Sequence, residues 1–163
     1  MTLIAQTPIN IIVGSTSFTA TLADSETGEA FAALLPLTVT MNELNGNEKY
    51  HYLSTSLPTA AYQPGTINAG DLMLYGNNCV VLFYETFNTS YSYTRLGAID
   101  NPSGLASALG SGNVSVRFEN GQTTYLTPTL SQGEGVKILR DGQLYIRYNG
   151  TMYNVQWGKV NAE

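Results

Sequence analysis

Tyr91, Tyr93 and Arg95 recur at every second position of FYETFNTSYSYTRLGAID (83–100), a spacing that sets three side chains on one face of an extended strand. A guanidinium flanked by two phenols can hold a carboxylate or a peptide carbonyl. The same pattern also describes an Arg whose stem packs on tyrosines and whose head pairs with an acid such as Glu85. His51, the lone histidine, lies in EKYHYL (48–53) and could serve as a general base near neutral pH. A single strand histidine is more often a packed or solvent-facing residue. With Cys79, also single, it falls short of the four or so N and S ligands of a structural zinc, so no metal site is expected. Cys79 has no local cation or helix N-terminus to form a thiolate and reads as a packed cysteine. No GxSxG elbow occurs, and GLASALGSG (104–112) lacks the Lys and the spacing of a phosphate loop. Glu43, Glu48 and Asp71 lie near predicted loops, but nothing in their spacing divides acid and base roles between them. The sequons at Asn88, Asn113 and Asn149 carry little functional weight. No cofactor is expected.

The totals narrow the partners. Seven Lys and Arg among 163 residues, a net charge of −5 and no basic side chain before Lys49 leave no cluster to displace phosphate counterions, which excludes nucleic acid. Charged residues make up only 12%, so polarity comes from Thr, Ser, Asn, Gly and Tyr, the mix of strands joined by tight turns. No run approaches the roughly 18–20 apolar residues of a membrane helix. The opening MTLIAQTPIN lacks the basic region of a signal peptide, which is consistent with a cytoplasmic protein or an exported one already trimmed. The single cysteine excludes an intramolecular disulfide.

Periodicity then supplies the elements. INIIV (9–13) and TSFTATL (16–22) form a hairpin about Gly14-Ser15, with Phe18, Ala20 and Leu22 inward. Asp24 or Ser25 caps a helix whose apolar face is Ala30, Phe31, Leu34 and Leu35, ended by Pro36. Strands are predicted at 37–41, 48–53, 70–76, 79–85, about 91–99 and 113–119, with a surface loop over 54–69. Asn101, Pro102 and Gly110 punctuate a second short helix at 101–110. Eight strands suit a closed antiparallel barrel, since closure removes exposed edges, and the two helices would plug its ends. Residues 1–119 thus read as a barrel domain and 120–134, rich in Gly, Thr and Gln, as a linker. Residues 135–163 read as a three-stranded β meander turning at Asp141-Gly142 and Asn149-Gly150.

With the strands placed, residues about 9–119 resemble the bacterial cyclophilin-like domain family, most specifically in LNGNEKY (44–50), GDLMLYG (70–76) and YSYTRLG (91–97). The resemblance implies a mainly β, cyclophilin-like eight-stranded barrel capped by two helices. True cyclophilins isomerise prolyl bonds with an Arg, a Gln, a His and aromatic residues; their Phe-His-Arg, Gln-Gly-Gly-Asp and Gln-Phe-Phe motifs are missing here, and GTINAGD (65–71) keeps only the final Gly-Asp. KILRDGQLYIRYNGTMYNVQWGKV (137–160) resembles the strand-rich tails of exported Bacteroidetes proteins, which implies a periplasmic or cell-surface location.

The function expected from these readings is non-catalytic binding of a small-molecule or peptide ligand near Arg95, with Tyr91, Tyr93, His51 and Glu85 as further candidates. The alternatives are a divergent prolyl isomerase in which Arg95 polarises the prolyl nitrogen, and a structural envelope module recognised through the tail. The tail itself is expected to dock on the barrel or on another molecule.

Overall fold

Alternating apolar residues on eight strands give a sheet with one water-hating face, and closing that sheet on itself buries the face without leaving an edge. This solution is seen in a computed structural model that describes residues 7–121 and, beyond them, the backbone of four strands within 124–154. The strands and helices of the first part, in order, are β1 (Thr7–Val13), β2 (Thr16–Leu22), α1 (Glu26–Ala32), β3 (Leu37–Leu44), β4 (Glu48–Tyr52) and β5 (Thr66–Ile67). They continue with β6 (Asp71–Tyr75), β7 (Cys79–Phe83), β8 (Phe87–Asn88), β9 (Thr94–Ile99), α2 (Leu105–Leu109) and β10 (Val114–Asn120). The barrel order is β1-β10-β3-β4-β7-β6-β9-β2, every pair antiparallel.

The interior is the predicted one. Phe18, Ala20 and Leu22 are buried with Ile9, Ile11, Val116 and Phe118, and α1 and α2 deliver Phe31, Leu105 and Leu109 to the same core. Phe31 meets Phe118 edge to face, with centroids 5.5 Å apart. Ser25, not Asp24, caps α1 by accepting from Gly28 N at 3.1 Å. At α2 the expected cap differs: Gly104 precedes the helix, and Asn101 instead accepts from Ser103 N at 3.1 Å, holding the turn before it. Gly97 has a packing reason to be glycine, because a Cβ there would lie 2.3 Å from Thr21 O across the β2–β9 seam.

The loop expected over 54–69 carries a strand. β5 pairs with β8 in a two-stranded flap, with Ile67 opposite Phe87, and Tyr62 exchanges two 2.9 Å backbone bonds with Tyr93. Beneath the flap a second apolar cluster gathers Ile67, Met73, Cys79, Val81, Phe83 and Tyr93. On β6 and β7 these alternate with Leu72, Leu74, Val80 and Leu82, which belong to the barrel core, so both faces of this wall are covered. Each of Ile67, Met73 and Phe83 is fully buried and contributes about 1.5–3 kcal/mol.

The chain forms two compact units, 1–121 and 122–163. In the second, β11 (Thr124–Leu126), β12 (Val136–Arg140), β13 (Gln143–Tyr148) and β14 (Thr151–Asn154) make an antiparallel four-stranded sheet in chain order. One strand therefore comes from the segment expected to be linker, because Thr124–Leu126 can pair with Val136–Ile138. The Asp141-Gly142 and Asn149-Gly150 turns lie outside the described residues. No helix among the described residues is long and apolar enough to cross a membrane.

Candidate functional site

The turn between β3 and β4 decides which side chains face the outside of the covered wall. Asn45 and Gly46 both take positive φ, 58° and 68°, and this three-residue reversal pairs Leu44 with Glu48. From there strand alternation sends Lys49 into the barrel and turns Glu48, Tyr50 and Tyr52 to the outer wall. β7 adds Cys79 and Val81 to that wall, and β6 adds Tyr75. The chain running from the flap, Phe87 to Tyr93, stands opposite. Between them lies a hollow of about 480 Å³, within the range of small-ligand sites.

Aromatic rings build its corners. Tyr75 meets Tyr91 at 90° with centroids 6.4 Å apart, and meets Tyr93 at 5.8 Å. Tyr50 and Tyr52 meet at 79° and 5.8 Å on the β4 side. Phe83 fixes the flap to the wall through Phe87 at 5.6 Å and Tyr93 at 5.5 Å. Tyr91, by contrast, is 62% exposed at the rim.

Asn45, Asn47, Glu48, Asn88, Thr89 and Ser90 add polar groups to the hollow beside the tyrosine hydroxyls, and Glu48 is its one charged residue among those described. Glu48 is only 9% exposed, and its carboxylate makes no hydrogen bond or ion pair with any described residue. Burial, and secondarily the nearby charge of Glu43, push its pKa above the usual carboxylate value. Its neighbour Asn47 is held by its backbone, N to Leu44 O at 3.3 Å and O from Tyr84 N at 3.0 Å. The Asn47 side-chain Oδ1, however, is the one buried side-chain polar atom among the described residues that lacks a partner. Burial pushes the Cys79 thiol up to about 11, helped by the Glu48 charge, so it stays protonated. Tyr93 is also raised, chiefly by burial. Of the described residues lining the hollow, none is Lys, Arg or His.

The residues singled out by sequence divide. Tyr91 and Tyr93 line the hollow; Arg95, His51 and Glu85 do not. Tyr93 turns into the buried cluster while Tyr91 is exposed, because regular strand geometry begins only at Thr94. Arg95 leans toward Asp71 at 3.7 Å, not toward Glu85, with its side chain 44% exposed. His51 lies on the opposite face of β4 from Tyr50 and Tyr52, with Nδ1 2.9 Å from Thr40 O. Glu85 is exposed. Asn47, Tyr50, Tyr52 and Tyr75 were not among the sequence candidates, and Glu48 was noted only as a carboxylate near a loop with no role assigned. The signal available for them was the unbroken apolar run CVVLF, which requires a strand covered on both faces.

Lys49 serves the interior. It is fully buried and donates to Glu43 Oε1 at 3.0 Å, Gly110 O at 2.8 Å and Gly112 O at 2.6 Å. Tyr84 donates to the same Glu43 oxygen at 2.5 Å, and burial, with that bond second, pushes the phenol up to about 12. Burial raises Glu43 itself, but the bonds from Tyr84 and Lys49 and the Lys49 charge bring it below the usual value.

Comparison with known protein families matches the chain to a cyclophilin-like family over residues 11–119. No curated protein and no solved structure matches the chain.

Proposed function

The chain belongs to the cyclophilin-like family, and on that premise we propose that its barrel domain is a binding module whose ligand occupies the tyrosine-lined hollow. One observation carries the reading: a hollow of about 480 Å³ is walled by five tyrosines on a sheet face that the rest of the outer wall keeps covered. Small-ligand sites combine an aromatic lining with polar groups that fix orientation, and here Glu48 and Asn47, with Asn45, Asn88, Thr89 and Ser90 beside them, supply the polar groups. The lining also favours binding over turnover. Among the described lining residues it holds one carboxylate and a thiol kept protonated, with no histidine and no cation to share proton transfer or polarise a carbonyl. Arg95, which a prolyl isomerase reading would need at the reacting nitrogen, lies outside the lining and near Asp71.

The test is a fragment titration followed by amide chemical shifts. Shifts confined to residues 44–52, 75–81 and 87–93 are expected. Ligands that shift only other surfaces would overturn the reading, as would prolyl isomerisation above background that falls in Arg95→Ala.

A further inference from the structure

We propose that the hollow is selective for an organic cation bearing N–H groups, an alkylammonium held by Glu48 and Asn47 with its charge against the tyrosine faces. This rests on the reading of the hollow as a binding site and names the chemistry of its occupant. Three independent features converge on it.

First, the charged group of the hollow and its one fully buried unpartnered polar atom are both acceptors. Glu48 is nine-tenths buried and makes no hydrogen bond or ion pair with a described residue, and Asn47 Oδ1 is buried without a donor. Native structures seldom leave a buried acceptor such as Asn47 Oδ1 unfilled, and a ligand that supplies donors can serve it and the Glu48 carboxylate together. A carboxylate or phosphate ligand would instead meet a like charge with no Lys, Arg or His among the described lining residues. A wholly apolar ligand would strip the remaining water from Glu48 and leave both acceptors empty.

Second, the rings stand at steep angles to one another, Tyr75 to Tyr91 at 90° and Tyr50 to Tyr52 at 79°, so several faces and edges border one space. Ring faces carry negative potential and attract ammonium groups, the arrangement by which aromatic cages hold them. Third, a metal ion is the wrong cation for this place. No group of three His, Cys, Asp or Glu able to hold one occurs among the described residues.

The carboxylate that performs this role costs the empty protein something. Burial raises the Glu48 pKa, so its charge is disfavoured until a cation restores the lost solvation. Glu43 on β3, Cys79 on β7, and Tyr84 and Tyr93 are the titratable groups whose charge couples to it.

Alkylammonium groups come free or on lysyl side chains, and the probes separate the two. The full chain is titrated with n-hexylamine hydrochloride, Nα-acetyl-lysine methylamide, 1-hexanol, sodium hexanoate and tetramethylammonium chloride, with binding read from amide shifts of the hollow. Hexylammonium is expected to bind at least tenfold more tightly than hexanol, and tetramethylammonium, which has no N–H, to fall between them. If the lysine derivative matches hexylammonium, the source is a peptide; if it fails while hexylammonium binds, a free amine. Glu48→Gln should weaken hexylammonium at least tenfold and leave hexanol unchanged, and Tyr91→Ala, at the exposed rim, should weaken it three- to tenfold. Hexanol or hexanoate binding the hollow as well as hexylammonium would overturn the cation inference while leaving the binding site intact. No shift of the hollow by any probe would overturn both.

Discussion

Lys49→Met is the substitution whose cost the geometry fixes best. The side chain is fully buried and its ammonium places one bond each on Glu43, Gly110 O and Gly112 O, at 2.6–3.0 Å. Methionine keeps the length of the stem, so the change removes the charge and its bonds without opening a large cavity. Three bonds to a charged donor would sum to about 5–9 kcal/mol if nothing opposed them. Burying the ammonium does oppose them, and removing one partner of a buried pair costs about 3–5 kcal/mol net. The Glu43 side chain is 26% exposed, so water can replace part of what it loses, and the expected cost lies near ~3 kcal/mol. With a urea slope of about 1–3 kcal/mol/M, the unfolding midpoint should fall by roughly 1–3 M at unchanged slope.

The pair also has a pH signature. In the folded protein, against the opposing effect of burial, the bonds from Tyr84 and Lys49 hold Glu43 below the ordinary carboxylate value. Its stabilisation is therefore present above the unfolded pKa and lost as the pH falls through the lower folded one. Part of the Lys49→Met cost should vanish in that acid window, while the part due to the two carbonyls persists. A double-mutant cycle with Glu43→Gln separates the parts, with a coupling of at least about 1 kcal/mol expected. A midpoint shift at neutral pH worth less than about 1 kcal/mol would refute the reasoning, since it would mean the three acceptors are as well satisfied by water as by Lys49.

Three further outcomes follow from the same geometry. Arg95→Ala should cost no more than about 1 kcal/mol in urea unfolding, because its side chain is 44% exposed and its guanidinium stands 3.7 Å from Asp71; a loss of several kcal/mol would make it a structural ion pair instead. Glu48→Gln should raise the urea midpoint at pH 7, since a pKa raised by folding means a cost that is present above the folded value and lifted as the pH falls through it toward 4.5; equal stability of the two proteins at pH 7 would contradict this. Gly97→Ala should lower the melting transition by more than about 2 kcal/mol of stability, because its Cβ would meet backbone at 2.3 Å across the β2–β9 seam, and an unshifted melt would show the seam can open.

The barrel was legible because its evidence is distributed. Phe18, Ala20 and Leu22 on β2 and Val116 and Phe118 on β10 repeat the same period-2 signal, so an error at one end of a strand leaves the others unaffected. The flap was illegible for the opposite reason. Thr66–Ile67 and Phe87–Asn88 are two residues each, too short to show any period, and they pair only because Phe83 and Tyr93 offer an apolar surface to cover. The reading of α2 erred on a local rule. Asn101 has the right chemistry for a cap, but a turn through Ser103 claims its side chain first.

The hollow fell between these cases. It joins the β3–β4 turn, the β6–β7 hairpin and the stretch after the flap, none of which carries chemistry alone, whereas the search for chemistry began from Arg95 on a single strand. The decisive pair was nonetheless visible in the sequence. Glu48 and Lys49 are adjacent and opposite in charge, an arrangement easily dismissed as a local surface pair. Adjacent residues of one strand point to opposite faces, so they cannot neutralise each other. Once β7 is known to be covered on both sides, each must find its own partner in a separate buried space. Lys49 finds three inside the barrel, and Glu48 finds none among the described residues outside it. A fold that satisfies the cation so fully and leaves the neighbouring carboxylate bare holds that carboxylate at a cost to stability, which is the expected mark of a group kept for something that arrives from solution.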